Sequence, residues 1–317
     1  MTNPILENLR LRSQQILSGT GGEITTGLVV QGGGMRGIYS MAALVTMEEC
    51  GLGGSFDHVF GSSAGAINGA YLLANQAGLA CSVYFDDICN KDFLNFFRPR
   101  KVIDIDFLID EILTHRKPLD VRAVMKSRSV LHILLTDFLT GEVVVLTNQD
   151  QTLDLLEALR ATSALPILYH KSVTVNSRQY IDGGIRGAIP LEHAIRCGCT
   201  DIVVVLTRDL SFRRNRPSFV ERLVRRILLR NYPKVTRDLF LTEDTEFNRT
   251  MKIIENPADF GFKGRLTVIY PSDLQRMVKR ITSNRDRLLT CASMARNDTR
   301  AALGLPALHD EPWRGTP

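Results

Sequence analysis

Short apolar runs alternate with longer amphipathic stretches along most of this chain. Apolar runs of four to eight residues bounded by turn residues predict buried strands, and apolar residues three and four apart predict helices packed on them. The first strand falls at 28–31 and is followed by a helix at 38–50, ended by Gly51. A second strand at 56–60 leads into a helix at 64–76. Residues 131–136 and 142–147 read as a strand pair turned at Thr140-Gly141, and 172–175 and 179–181 as another turned at Asn176-Ser177. Between the pairs lies a helix at 153–164, halted by Pro166. A helix at 191–197, a strand at 201–207 and a strand at 266–270 continue the alternation. Residues 275–303 are predicted largely helical, with a frayed tail from Pro306. At the other end, Ile5, Leu6, Leu9 and Ile16 give 4–17 a helical spacing that stops at Gly19, Gly21 and Gly22. No internal repeat or low-complexity tract interrupts this pattern, which predicts an α/β sheet domain. Four segments follow from it: an N-terminal helix (1–23), the main α/β domain (24–208), a basic helical segment (209–262), and a returning strand with C-terminal helices (263–317).

Hydrophobic residues make up 44% and charged residues 23% of the 317 positions, which suits a packed core rather than a disordered chain. No stretch reaches the roughly 18 uninterrupted apolar residues of a membrane span. The best candidate, 66–84, is broken by Asn68, Asn75 and Gln76. Thr2, Asn3, Glu7, Asn8 and Arg10 make the N-terminus too polar for a signal peptide, so a cytoplasmic location is expected. Cys50, Cys81, Cys89, Cys197, Cys199 and Cys291 show no disulfide spacing. Cys197-Gly-Cys199 has no second pair and no histidine directly beside it, so reduced thiols and no metal are expected. The net charge of +5 is local in origin. Residues 211–237 carry nine basic side chains against Glu221, a net +8 that leaves −3 over the remainder.

Candidate chemistry begins in the loop after the first strand. Gly32, Gly34 and Gly37 fit the G-x-G-x-x-G spacing of a dinucleotide-binding turn. That function also needs a carboxylate at the end of the next strand to hold the ribose. Here the next strand ends in Phe60-Gly61-Ser62-Ser63, and Asp57 stands at its start, the wrong end. Gly61-Ser62-Ser63-Ala64-Gly65 instead matches G-x-S-x-G, a strand-to-helix turn whose central serine needs small neighbours at Gly61 and Gly65. Ser63 is the predicted nucleophile, and Ser62, in the variable place, is neutral. Parallel neighbouring strands would set Gly33 and Gly34 beside Ser63, where backbone N–H groups could receive an oxyanion. His58, His115, His132, His170, His193 and His309 lack the context of a triad. Asp182, directly after a strand in Asp182-Gly183-Gly184, is the better candidate base, with a plain turn aspartate as the alternative.

Gly32 to Gly37 with Arg36, Gly61 to Gly65, and Asp182 to Gly184, in this order, resemble the three motifs of the patatin-like phospholipase family. The resemblance covers about residues 24–208, and Ser63 and Asp182 are 119 residues apart. It implies a three-layer α/β/α fold with a mostly parallel central sheet and a helical C-terminal extension. It also implies a Ser63–Asp182 dyad, no cofactor or metal for the chemistry, and fatty-acyl esters of lipids as substrates. The oxyanion loop would be Gly32 to Gly37, with Met35 or Arg36 near the Gly33 and Gly34 donors. Arg36 has a structural ion pair as its alternative role.

In the basic segment, Phe219, Leu223, Ile227 and Leu228 recur at helical spacing among Arg222, Arg225, Arg226 and Arg230. Such a helix either lies on an anionic membrane surface or packs its apolar stripe on the core with its arginines solvated. Given lipid substrates, peripheral contact with the inner face of the membrane is expected. Nothing resembles a nucleic-acid reading module. The aromatic region at 84–107 lines an acyl pocket, forms a lid or is ordinary core. A carboxylesterase of small soluble esters, or a non-catalytic lipid- or partner-binding protein of the same fold, are the competing functions.

Overall fold

Eight strands form one mixed sheet: β1 (Thr26–Val30), β2 (His58–Gly61), β3 (Val130–Asp137), β4 (Val143–Thr147), β5 (Val173–Val175), β6 (Arg178–Asp182), β7 (Asp201–Val205) and β8 (Arg265–Ile269). Their order is β5-β6-β3-β2-β1-β7-β8, with β4 paired to β3. Strands β3, β2, β1, β7 and β8 run parallel, while β4 and β6 are antiparallel to β3, and β5 to β6. The computed structural model describes residues 4–18, 24–98, 101–169 and 171–308. The glycines expected to end the first helix, His170, His309 and the last residues of the tail lie outside these.

Eleven α-helices are described: α1 (Pro4–Ser18), α2 (Gly37–Glu49), α3 (Ala64–Leu73), α4 (Ala77–Ser82), α5 (Val121–Lys126), α6 (Leu155–Thr162), α7 (Leu191–Arg196), α8 (Phe219–Leu228), α9 (Lys234–Leu239), α10 (Glu243–Glu255) and α11 (Arg285–Ala302). The central strands are apolar throughout because both their faces are covered. Leu28, Val30, Val203 and Val205 pack with side chains of α1 to α6 and α11. Val29, Val204 and Ile202, on the alternate face, pack with Leu191 of α7 and with Phe247 and Met251 of α10. This two-sided core makes a three-layer α/β/α fold.

Most predicted elements are present within a few residues, and both hairpins turn where expected, with Gly141, Asn176 and Ser177 at positive φ. The C-terminal extension departs from expectation. Helix occupies only Arg285–Ala302, and 275–284 has no regular α-helix. That stretch runs instead to the glycine loop, where the carbonyl of Arg280 accepts the Met35 N–H at 2.9 Å. The basic segment is anchored by a small third core. In it Leu229, Tyr232, Leu239 and Phe240 meet Ile181 and Ile185, on either side of Asp182.

Candidate active site

Strand register sets the three motifs at one height. Val30 of β1 lies beside Gly61 of β2, and Gly61 beside Ile133 of β3. Two residues further on, β3 places Leu135 beside Asp182 of β6. Gly32, Ser63 and Asp182 thus emerge together, past the carboxyl ends of β1 and β2, where open α/β sheets place their ligands.

Ser63 has φ 54° and ψ −133°, a conformation that residues with side chains seldom adopt and one that costs about 1–3 kcal/mol. Close packing enforces it. A Cβ on Gly65 would lie 2.2 Å from the carbonyl oxygen of Val30, so only glycine lets the turn come so near β1. Thr162, fully buried, accepts the Ser63 N–H through Oγ1 at 2.9 Å and donates to the Leu134 carbonyl at 2.5 Å. Ser62 is committed elsewhere, donating to the Gly187 carbonyl at 2.9 Å.

Asp182 is 5% exposed, and its carboxylate lies beside the Ser63 hydroxyl. The carboxylate also accepts the Gly184 N–H at 2.6 Å. Burial raises its pKa from 3.8 to about 6, against the pull of the Gly184 and Ser63 hydrogen bonds and of Arg280 and Arg214. Its backbone is fixed on both sides, the N–H on the Ala164 carbonyl and the C=O on Thr136 Oγ1.

Gly33 and Gly34 have φ values of 132° and 60°, a left-handed path that favours glycine. Two of the expected donors are already used: the Met35 N–H bonds the Arg280 carbonyl, and the Arg36 N–H the Gly33 carbonyl at 3.4 Å. Gly34 opens a 3₁₀ turn, and the first N–H groups of such a turn have no partner within it. The same holds for Ala64, the residue after Ser63 and the first of α3. Gly32 is held by Thr207, whose Oγ1 donates to its carbonyl at 2.9 Å. Asn68, fully buried, ties the start of α2 to α3 by donating to the Gly37 carbonyl and accepting from the Tyr84 hydroxyl.

A cleft enclosing about 1160 Å³, part of it open to solvent, runs from Ser63 and Asp182. Its apolar wall includes Ile67, Tyr84, Ile88, Phe93, Leu94 and Leu108. The aromatic region therefore lines the cleft and belongs to the core at once, whereas Phe96 and Phe97 are exposed. The lining is also cationic. Arg36, Arg214 and Arg280 belong to it together with Glu243. Burial, then the charges of Arg280, Arg208 and Arg214, push the Arg36 pKa down. Arg36 Nε and Arg208 Nε are buried without a hydrogen-bond partner, and no ion pair of Arg36 is found among the described residues. Arg214 lies over the Phe247 ring at 4.6 Å and pairs with Glu243 at 3.1 Å.

Among the basic candidates, Arg225 turns inward, bonding Glu243 at 2.9 Å and the Phe240 carbonyl at 2.5 Å. It is not available to a surface, unlike the exposed Arg222, Arg226 and Arg230. The apolar stripe does not pack on the core either: Phe219 is 74% and Ile227 58% exposed. No described histidine lines the cleft. Arg214 and Arg280 carried no motif, and neither did Thr162. Only the charge excess of 211–237 pointed toward Arg214.

The sequence model of patatin-like phospholipases matches residues 28–195, more than half of the chain. The chain belongs to the patatin-like phospholipase family. All three motifs lie inside the matched stretch, while Arg208, Arg214 and Arg280 lie beyond it. The uncharacterized protein YjjU of Escherichia coli (strain K12) is 31% identical over 188 residues, which are 57% of this chain and 51% of YjjU. The chain therefore spans about half the length of that curated relative. Among solved structures, VipD from Legionella pneumophila aligns with a TM-score of 0.43 and 10% identity, over 90% of this chain and 67% of VipD.

Proposed function

We propose that this protein hydrolyses fatty-acyl esters of phospholipids, with Ser63 as nucleophile and Asp182 as its base. The observation that carries this is the pairing in one apolar cleft of Ser63, held at a strained turn, with a buried carboxylate of raised pKa. A carboxylate with a pKa near 6 is a stronger base than an ordinary one and is still ionised at neutral pH. Asp182 takes the proton from Ser63, and the alkoxide attacks the acyl carbonyl. The N–H groups of Gly33, Gly34 and Ala64 receive the oxyanion, each contributing roughly 3 kcal/mol of barrier lowering. Asp182 then protonates the leaving alcohol and activates the water that releases the fatty acid.

The apolar lining suits an acyl chain, and the arginines of the cleft favour a substrate that carries negative charge, which a small neutral ester lacks. Helix α8, with its apolar stripe exposed and Arg222, Arg226 and Arg230 alongside, supports peripheral contact with an anionic membrane. No described helix is long and apolar enough to cross one. The test is labelling by a fluorophosphonate probe of wild type, Ser63→Ala and Asp182→Asn, followed by a lipid panel. Labelling is expected in wild type alone. Survival of labelling in Ser63→Ala would end the assignment, and turnover of short soluble esters but no lipid would favour the carboxylesterase.

A further inference from the structure

Four residues that hydrolysis leaves unused meet toward the other end of the sheet. His58 opens β2 and Ser63 stands two residues past its last, a separation of roughly 16 Å at ~3.3 Å per residue. His132 stands on β3 level with Phe60, whose ring it stacks on at 4.3 Å. His193 lies in α7, and Cys197 caps the same helix one turn later. His132 Nδ1 is 3.3 Å from His193 Nε2, which is 3.7 Å from Cys197 Sγ. The three donor atoms all fall within 4.8 Å of one another.

We propose that His132 Nδ1, His193 Nε2 and Cys197 Sγ form a zinc site, with its fourth position open to water. The two separations made by His193 Nε2 are those of a shared metal. Zinc bonds of about 2.0–2.1 Å to nitrogen and 2.3 Å to sulfur, directed tetrahedrally, place two nitrogens about 3.3 Å apart and nitrogen from sulfur about 3.6 Å. A shared proton draws ring nitrogens closer, and the other face of His132 provides the comparison: its Nε2 is 3.0 Å from His58 Nδ1. That bond gives His58 a positioning role. A proton on His132 Nε2, donated to His58, leaves the Nδ1 lone pair free for a metal. Two imidazoles and a thiolate select zinc or copper over magnesium or calcium. His193 and Cys197 are half-buried, which leaves a path of entry, while His132 is 8% exposed. On binding, the Cys197 thiol loses its proton to solvent and the thiolate donates the electron pair. The bound ion would join α7, the helix after the Asp182 loop, to the centre of the sheet. No residue of the cluster lines the catalytic cleft, so the site stands or falls independently of hydrolysis.

The full chain, stripped by a chelator, would be titrated calorimetrically with Zn²⁺ and, separately, followed by absorption with Co²⁺. The proposal expects one Zn²⁺ per chain, bound at least 100-fold more weakly by Cys197→Ser and His193→Ala. It also expects a thiolate-to-cobalt charge-transfer band that Cys197→Ser abolishes and Zn²⁺ displaces. Cys199→Ser is the control, since that thiol is turned away toward Gly27. Wild-type binding is decisive even if a variant fails to fold: absence of saturable binding, or of the thiolate band, would overturn the site. So would Zn²⁺ affinity within threefold of wild type in both folded variants, or a band lost in Cys199→Ser.

Discussion

Asp182→Asn is expected to abolish hydrolysis and, above pH 6, to make the protein more stable. Burial raises the carboxyl from 3.8 to about 6 in the folded state, so folding binds its proton more tightly. Stability is therefore greatest below the unfolded pKa and falls as pH rises through the folded one. Two units at about 1.36 kcal/mol each amount to roughly 3 kcal/mol lost by pH 8 and only about 0.6 kcal/mol by pH 4. Asparagine has the same shape, can still accept the Gly184 N–H, and carries no charge at any pH. At roughly 2 °C per kcal/mol for a chain of this size, the variant should melt about 6 °C above wild type at pH 8, with the two converging near pH 4. Thermal melts of both proteins across that range provide the check. A variant less stable than wild type at pH 8, or a gap that does not change with pH, would refute an ionised, desolvated Asp182. The catalytic counterpart is an acid limb near pH 6 in wild-type kcat/KM.

Thr162→Val should cost about 1–3 kcal/mol in chemical denaturation, because the Ser63 N–H and the Leu134 carbonyl both lose a buried partner, and it should lower kcat more than it raises KM. Arg214→Met removes a charge that pulls Asp182 down, so the acid limb should move to higher pH. The same change should reduce the kcat/KM ratio of an anionic lysophospholipid over a short neutral ester, and an unchanged ratio would take the cationic lining out of substrate selection. Phe219→Glu combined with Ile227→Glu should weaken co-sedimentation with anionic vesicles at least tenfold, and undiminished binding would assign the exposed stripe of α8 to another partner.

The sheet was legible because its strands are apolar on both faces and bounded by glycine and asparagine turns. The serine turn and the aspartate loop were legible because Gly61, Gly65 and Gly183 stand where a Cβ would meet backbone at 2.5, 2.2 and 1.9 Å. What escaped depends on contacts between distant segments. Thr162 supports Ser63 across a separation of 99 residues, and an isolated threonine at a helix end carries no signal of that. The apolar residues of 275–284 mimic helical spacing, yet there the chain spends its backbone on the glycine loop. The stripe of α8 was visible as periodicity, but whether it faced core or solvent was not. His58, His132 and His193 were dismissed one by one for lack of sequence context, and only the register of β2 and β3 with α7 brings them together.

The bond from the Met35 N–H to the Arg280 carbonyl bears on how the protein can be divided. The family match ends at 195, and β7 at 205, while β8 of the same sheet comes only at 265–269. A fragment cut near residue 208 would keep Ser63, Asp182 and the glycines of all three motifs, yet lose the strut that holds the glycine loop in shape. Joining this N-terminal part to the C-terminal part of another family member is therefore expected to change the shape of the glycine loop. In this protein the segment beyond the family match completes the loop within it.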